Sequence, residues 1–82
     1  MDRDAAFKVF QETAAEVMDV EASTVAPEAN LKADLDVDSL AFVELTLALE
    51  EAYDAKIPEP PEDLPLTTVA EAFDYVYGTL GA

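Results

Sequence analysis

The 82-residue chain contains no cysteine and no histidine. Thiolate nucleophiles, disulfides, thiolate metal sites and imidazole general bases are therefore excluded. Positive charge is scarce as well: four Lys and Arg oppose nineteen Asp and Glu, a net charge of −15. Such a surface repels phosphate backbones and anionic headgroups, so no nucleic acid or membrane-surface partner is expected and basic proteins are. Long apolar runs are missing too. The longest stretch without a charged residue runs from Tyr75 to Ala82, far short of the roughly 20 residues of a membrane-spanning helix. Met1-Asp2-Arg3-Asp4 offers no apolar signal region, so a cytoplasmic address is expected. What is present is a chain that is 51% hydrophobic, enough to bury one small core. Residues 1–82 are expected to form a single monomeric domain rather than a disordered acidic tail.

Hydrophobic spacing predicts an all-α fold. From about Asp4 to Met18, Phe7, Phe10, Ala14 and Val17 recur at helical intervals with Glu12 and Glu16 opposite. A polar connector follows from Asp19 to about Asp38, broken by Pro27 and Asn30. Val20, Val25, Leu31 and Leu35 punctuate it and are expected to pin it to the core. A second helix should run from about Ser39 to Ala55, with either Asp38 or Ser39 as its N-cap. Ile57-Pro58-Glu59-Pro60-Pro61 cannot lie inside a helix. A short third helix is expected at Pro61 to Leu64, since Pro is tolerated at a first helical position. Thr68 with Glu71 forms a capping box that opens a last helix to about Thr79, with Val69, Phe73, Val76 and Leu80 as its buried stripe. The expected architecture is a small four-helix bundle of three main helices and one short one, with a long first loop.

The second helix carries more apolar surface than one docking stripe requires. On a wheel of about 100° per residue, Phe42, Leu45, Leu49 and Tyr53 share one arc. Leu40, Val43 and Leu47 share another, flanked by Glu50 on one side and by Glu44 and Glu51 on the other. The second arc reads as a contact surface for a partner. Burial beneath the connector is the competing account, weaker for Val43 and Leu47 because the carboxylates beside them need water.

Asp34-Leu35-Asp36-Val37-Asp38-Ser39-Leu40 is the most informative stretch. Alternating carboxylates suggest a calcium loop, but such a loop needs Gly at its sixth position and Glu at its twelfth. Counted from Asp34, these are Ser39 and Leu45, so no metal site is expected. A hydrolase is excluded as well: Ser39 has no base to activate it and no Gly-x-Ser-x-Gly surrounds it. An acidic helix start complementing the helix dipole accounts for part of the pattern only.

Asp38-Ser39-Leu40, preceded by Asp34-Leu35 and followed by Val43-Glu44-Leu45, resembles the signature of acyl carrier proteins. The resemblance continues through Ala48-Leu49-Glu50-Glu51, Ile57-Pro58, Thr67-Thr68-Val69 and Asp74-Tyr75-Val76, covering nearly the whole chain in order. It implies a carrier rather than an enzyme, with 4′-phosphopantetheine attached at Ser39 between Asp38 and Leu40. It implies a phosphopantetheinyl transferase and acyl-chain synthesis enzymes with basic patches as partners. These would dock on Asp36, Leu40, Val43, Glu44, Leu47, Glu50 and Glu51, while Phe42, Leu49, Ile57, Leu64, Leu66 and Val69 form the acyl pocket. Fatty acid or related lipid synthesis is the expected pathway; polyketide and D-alanyl carriers are the alternatives. An acidic interaction module without a prosthetic group is the alternative of a different class. Two departures stand out. The family commonly has Gly where Asp36 stands, so a looser turn is expected here. The segment Glu59 to Pro65 is unusually rich in Pro where the family has its short third helix.

Overall fold

The computed structural model describes residues 2–58 and 67–80, the side chain of Ser39 excepted. Among these, three α-helices stand in order: α1 (Arg3–Met18), α2 (Ser39–Tyr53) and α3 (Val69–Thr79). A 3₁₀ turn at Ala22–Thr24 breaks the connector earlier than Pro27, a feature the sequence reading missed. Among the described residues, strand-type pairing reduces to one isolated antiparallel bridge between Asn30 and Thr68, so their regular structure is helical. The expected short helix at Pro61 to Leu64 lies outside the described residues.

The expected apolar stripes form the core. Ala6, Phe10, Ala14 and Ala15 of α1 pack with Leu45 and Leu49 of α2 and with Val69, Ala72, Phe73 and Val76 of α3. Leu80, expected in the stripe, is half-buried at the end of α3. The Phe10 and Phe73 rings meet edge to face at 5.7 Å, and Phe7 meets Phe73 in the same way at 5.1 Å. Such arrangements place ring edges against π faces and add to the gain from burial. The connector is pinned as its apolar residues require: Val25, Ala29, Leu31, Leu35 and Val37 are buried and Val20 packs against them. On α1, Arg3 lies over the rings of Phe73 and Tyr77 and pairs with Asp74. That ion pair is exposed on both sides, so its contribution is small.

α1 packs against both α2 and α3, whereas no Cα of α2 lies within 8 Å of a Cα of α3. The end of α2 lies beside the start of α1, where the Tyr53 hydroxyl donates to the Ala6 carbonyl at 2.5 Å. Burial pushes the Tyr53 phenol from 10.0 up to about 12, opposed weakly by the Phe10 backbone. The folded state thus favours the neutral phenol. Its contribution is complete below pH 10, where the unfolded chain ionises, and is lost as pH rises from 10 toward 12. Tyr53→Phe should lower stability by about 0.5–1.5 kcal/mol at neutral pH. Thermal melts of the two proteins should converge between pH 10 and 12; parallel curves would contradict the assignment.

Two helices end on aspartates in the left-handed region, Asp19 at φ 57° and Asp54 at φ 53°. Both also put negative charge at the negative end of a helix dipole. Glycine adopts this conformation freely, although it adds entropy to the unfolded chain. Asp19→Gly and Asp54→Gly should each stabilise the protein by about 0.5–1 kcal/mol. The sites sit at opposite ends of the α1–α2 pair, so urea midpoints should shift additively.

Candidate functional site

The segment that leads into α2 is built by its own side chains. The Asn30 side-chain oxygen accepts from the N–H groups of Lys32 and Ala33 at 3.0 and 2.9 Å. The Asp34 carboxylate in turn accepts from the Asn30 N–H at 2.7 Å. Asp36 takes a left-handed conformation, φ 56°, with its N–H bonded to the Lys32 carbonyl. This corrects the expected looser turn: Asp36 occupies the conformation that suits glycine, and aspartate is among the few other residues that enter it readily. The loop is as sharply turned as a glycine would allow.

From here the chain alternates strictly. Leu35 and Val37 are buried, while Asp34, Asp36 and Asp38 are exposed. The three side chains are therefore solvent-exposed, Asp34 and Asp38 each accepting a backbone N–H, and among the described residues no three acidic side chains converge on a point that would hold a metal ion. Asp38 is the N-cap of α2: its side chain accepts from the Ala41 N–H at 2.8 Å and its carbonyl from the Phe42 N–H. That settles the choice between Asp38 and Ser39, and it makes Ser39 the first residue of the helix. The backbone of Ser39 is held between a buried anchor, Val37, and a capped helical turn.

The N-termini of α2 and α3 differ in what they leave open. At α3 the N–H groups of Val69 and Ala70 are taken by the carbonyls of Ala29 and Pro27, and that of Glu71 by the Thr68 hydroxyl. The expected capping box is complete, with the Glu71 carboxylate accepting from the Thr68 N–H. At α2 helical geometry leaves the N–H groups of Ser39 and Leu40 without an intrahelical acceptor, and no described residue accepts from them. A phosphate attached at Ser39 fits this end of the helix, where free donors and the dipole both favour an anion.

α2 shows two faces. Leu45 and Leu49 are buried at 2% and 1%, with Phe42 and Tyr53 packed against the core. Leu40, Val43 and Leu47 are exposed at 70%, 48% and 58%, and among the described residues they are the exposed large apolar side chains. All three lie on one arc beside Ser39, so the connector does not cover them. Glu44 and Glu51 are exposed on the rim, and Asp36 and Asp38 stand at its upper end. An open groove lined by Glu44, Leu47, Ala48, Glu51 and Lys56 continues this surface toward the end of α2. Glu50 differs from its neighbours. It is half-buried, and its carboxylate accepts from the Ile57 N–H at 3.0 Å, a tie that no sequence pattern signals at this spacing.

Of the residues expected to form an acyl pocket, Leu49, Ile57 and Val69 are buried in one core and Phe42 packs at its edge. Leu64 and Leu66 lie outside the described residues. The sequence reading also missed Tyr75, whose hydroxyl donates to the Pro58 carbonyl at 2.5 Å.

Comparison with known proteins gives the family. Residues 8–76 match the family described as "Phosphopantetheine attachment site". The chain is 45% identical over 76 residues to an acyl carrier protein of Rubrobacter xylanophilus, covering 93% of each chain. It is also 45% identical over 65 residues to an acyl carrier protein of Picosynechococcus sp., covering 79% of each. With a family match that covers all of α2 and most of α1 and α3, and with two relatives at 45% identity, the chain belongs to the acyl carrier proteins, which are carriers rather than enzymes and hold a covalent 4′-phosphopantetheine.

Proposed function

We propose that Ser39 bears the 4′-phosphopantetheine and that the protein delivers acyl thioesters to enzymes of fatty acid or related lipid synthesis. The observation that carries the assignment is the start of α2. Ser39 follows the Asp38 cap, precedes the outward Leu40, and heads a helix end whose first N–H groups remain open. When attached, the arm supplies the thiol that this cysteine-free chain lacks. The chain contributes the acceptor hydroxyl and a surface to which enzymes bind. A serine hydroxyl is a weak nucleophile without a base, and with no histidine in the chain its activation falls to the phosphopantetheinyl transferase, acting on coenzyme A with Mg²⁺.

In this reading Asp36 and Asp38 guide the transferase, and later partners dock on Leu40, Val43 and Leu47 with Glu44 and Glu51 as the charged rim. Glu50 joins that rim only in part, because its carboxylate also serves the fold. The acyl chain lies between α2 and α3, against Phe42, Leu49, Ile57 and Val69. The separation of the α2 and α3 backbones supports this placement. The 82 residues then act as one monomeric, cytoplasmic carrier domain. Intact-mass measurement after incubation with a phosphopantetheinyl transferase, coenzyme A and Mg²⁺ tests the reading. The protein should gain one arm; a persistently unmodified protein would return it to the class of acidic interaction modules.

A further inference from the structure

α2 and α3 share one core while their Cα atoms stay more than 8 Å apart, and the chain leaving α2 is tied to both helices. It turns back at Asp54 in the left-handed conformation and runs through Ala55, Lys56, Ile57 and Pro58 as a short strap. The carbonyl of Glu50 accepts from the N–H groups of both Asp54 and Ala55. The carboxylate of the same residue accepts from the Ile57 N–H. At the far end Tyr75, on α3, donates its hydroxyl to the Pro58 carbonyl. Proline has no N–H, so this carbonyl is the one backbone hydrogen-bonding group that Pro58 can offer. Between these two ties the Ile57 side chain is driven into the core, 6% exposed.

We propose that Glu50 and Tyr75 form a two-sided latch on the strap Asp54–Pro58, and that its release governs admission of an acyl chain between α2 and α3. The inference rests on the placement of the acyl chain given above. α1 holds α2 and α3 from one side through packed apolar surface, and that contact persists when the strap moves. At the α2–α3 seam the Cα atoms of the two helices stand more than 8 Å apart, so a strap tied to both sides is placed to set how readily the seam opens. A chain entering the seam must displace Ile57, whose N–H is held by the Glu50 carboxylate and whose neighbour Pro58 is held at its carbonyl by the Tyr75 phenol. Charge-assisted acceptance makes the Glu50 tie the stronger of the two.

The test uses the full-length protein with Glu50→Ala, Glu50→Gln and Tyr75→Phe. Amide hydrogen exchange of Ile57 is read against that of Leu49, which reports global opening. Tyr75→Phe should speed exchange at Ile57 about tenfold, although Tyr75 does not contact that N–H, and should leave Leu49 unchanged relative to the stability of each variant. Glu50→Gln, which keeps an oxygen acceptor, should fall between wild type and Glu50→Ala. Ile57 exchange that is unmoved by Tyr75→Phe overturns the latch.

The second arm loads each protein, through its prosthetic thiol, with a short or a medium-length acyl chain. Thioester loss to hydroxylamine is then measured. In wild type the longer chain should be protected relative to the short one, and the Glu50→Ala and Tyr75→Phe proteins should lose most of that difference. Equal protection of both chains in wild type would defeat the placement of the cargo, while the exchange data would still judge the latch. A length-dependent protection that survives in both variants would show that the strap does not govern admission.

Discussion

Ser39→Ala should abolish the gain of mass with transferase and coenzyme A completely, not merely slow it. The transferred group needs an oxygen to bond to, and alanine supplies none. The fold should be nearly indifferent to the change. Asp38 carries the cap of α2 through Ala41, and alanine is the best of helix formers at the first helical position, so the shift in stability should stay within about 0.5 kcal/mol. The other serine in the chain, Ser23, is an internal control. It sits in the 3₁₀ turn at Ala22–Thr24, just beyond the C-terminal end of α1 and not at the N-terminus of an α-helix. Modification of the Ser39→Ala protein at Ser23 would show that exposure of a hydroxyl is sufficient and would remove the argument from helix position. Asp38→Ala separates two further roles. Loss of the cap should cost about 0.5–2 kcal/mol and fray the first turn, reducing the rate of modification without eliminating it. If Asp38→Ala were as inert as Ser39→Ala, the aspartate would be part of the transferase's catalytic apparatus and not only a cap.

The helices were legible from sequence because several local signals agreed at each one. In α3, the Thr68–Glu71 box and the Val69, Phe73 and Val76 spacing point to one start and one face, and the structure has both. In α2, the split into two arcs needed only helical geometry, and exposure divides the residues as the wheel does. What was not legible depends on contacts between distant residues or on backbone angles. The 3₁₀ turn at Ala22–Thr24 has no capping side chain to announce it. The left-handed Asp36 was read as a departure from a glycine position, when the neighbouring Asn30 and Asp34 bonds hold the loop in that conformation. Glu50 looked like one more rim carboxylate on the wheel, and only the return of the chain to Ile57 gives it an inward duty. Tyr75 and Pro58 are seventeen residues apart, a separation at which no periodic pattern operates.

Reversing the charge on the docking rim should have the second large effect. Glu44 and Glu51 are exposed and flank the arc of Leu40, Val43 and Leu47, and they belong to a chain of net charge −15. Fields of this size steer encounter with a basic partner and raise association rates by one to three orders of magnitude at low salt. Glu44→Lys with Glu51→Lys should therefore slow association with the transferase by about tenfold or more at low ionic strength. At high salt the variant and wild type should approach one another, since the Debye length falls to about 3 Å at 1 M. Glu50 is left in place because altering it disturbs the strap. The apolar arc should act on the other rate constant. Leu40, Val43 and Leu47 gain free energy only once water is expelled from the contact, so Leu47→Ala or Val43→Ala should speed dissociation and leave association nearly unchanged. At 48–70% exposure these side chains hold little of the fold together, so each variant should melt close to wild type, unlike the loss of about 2–5 kcal/mol for a Leu→Ala change in a packed core. The pairing of rate constants with residue types is what distinguishes a steering rim from a hydrophobic contact. A rim reversal that slows association equally at every salt concentration would assign the effect to altered structure. An apolar truncation that lowers the melting temperature without changing dissociation would return that residue to the core.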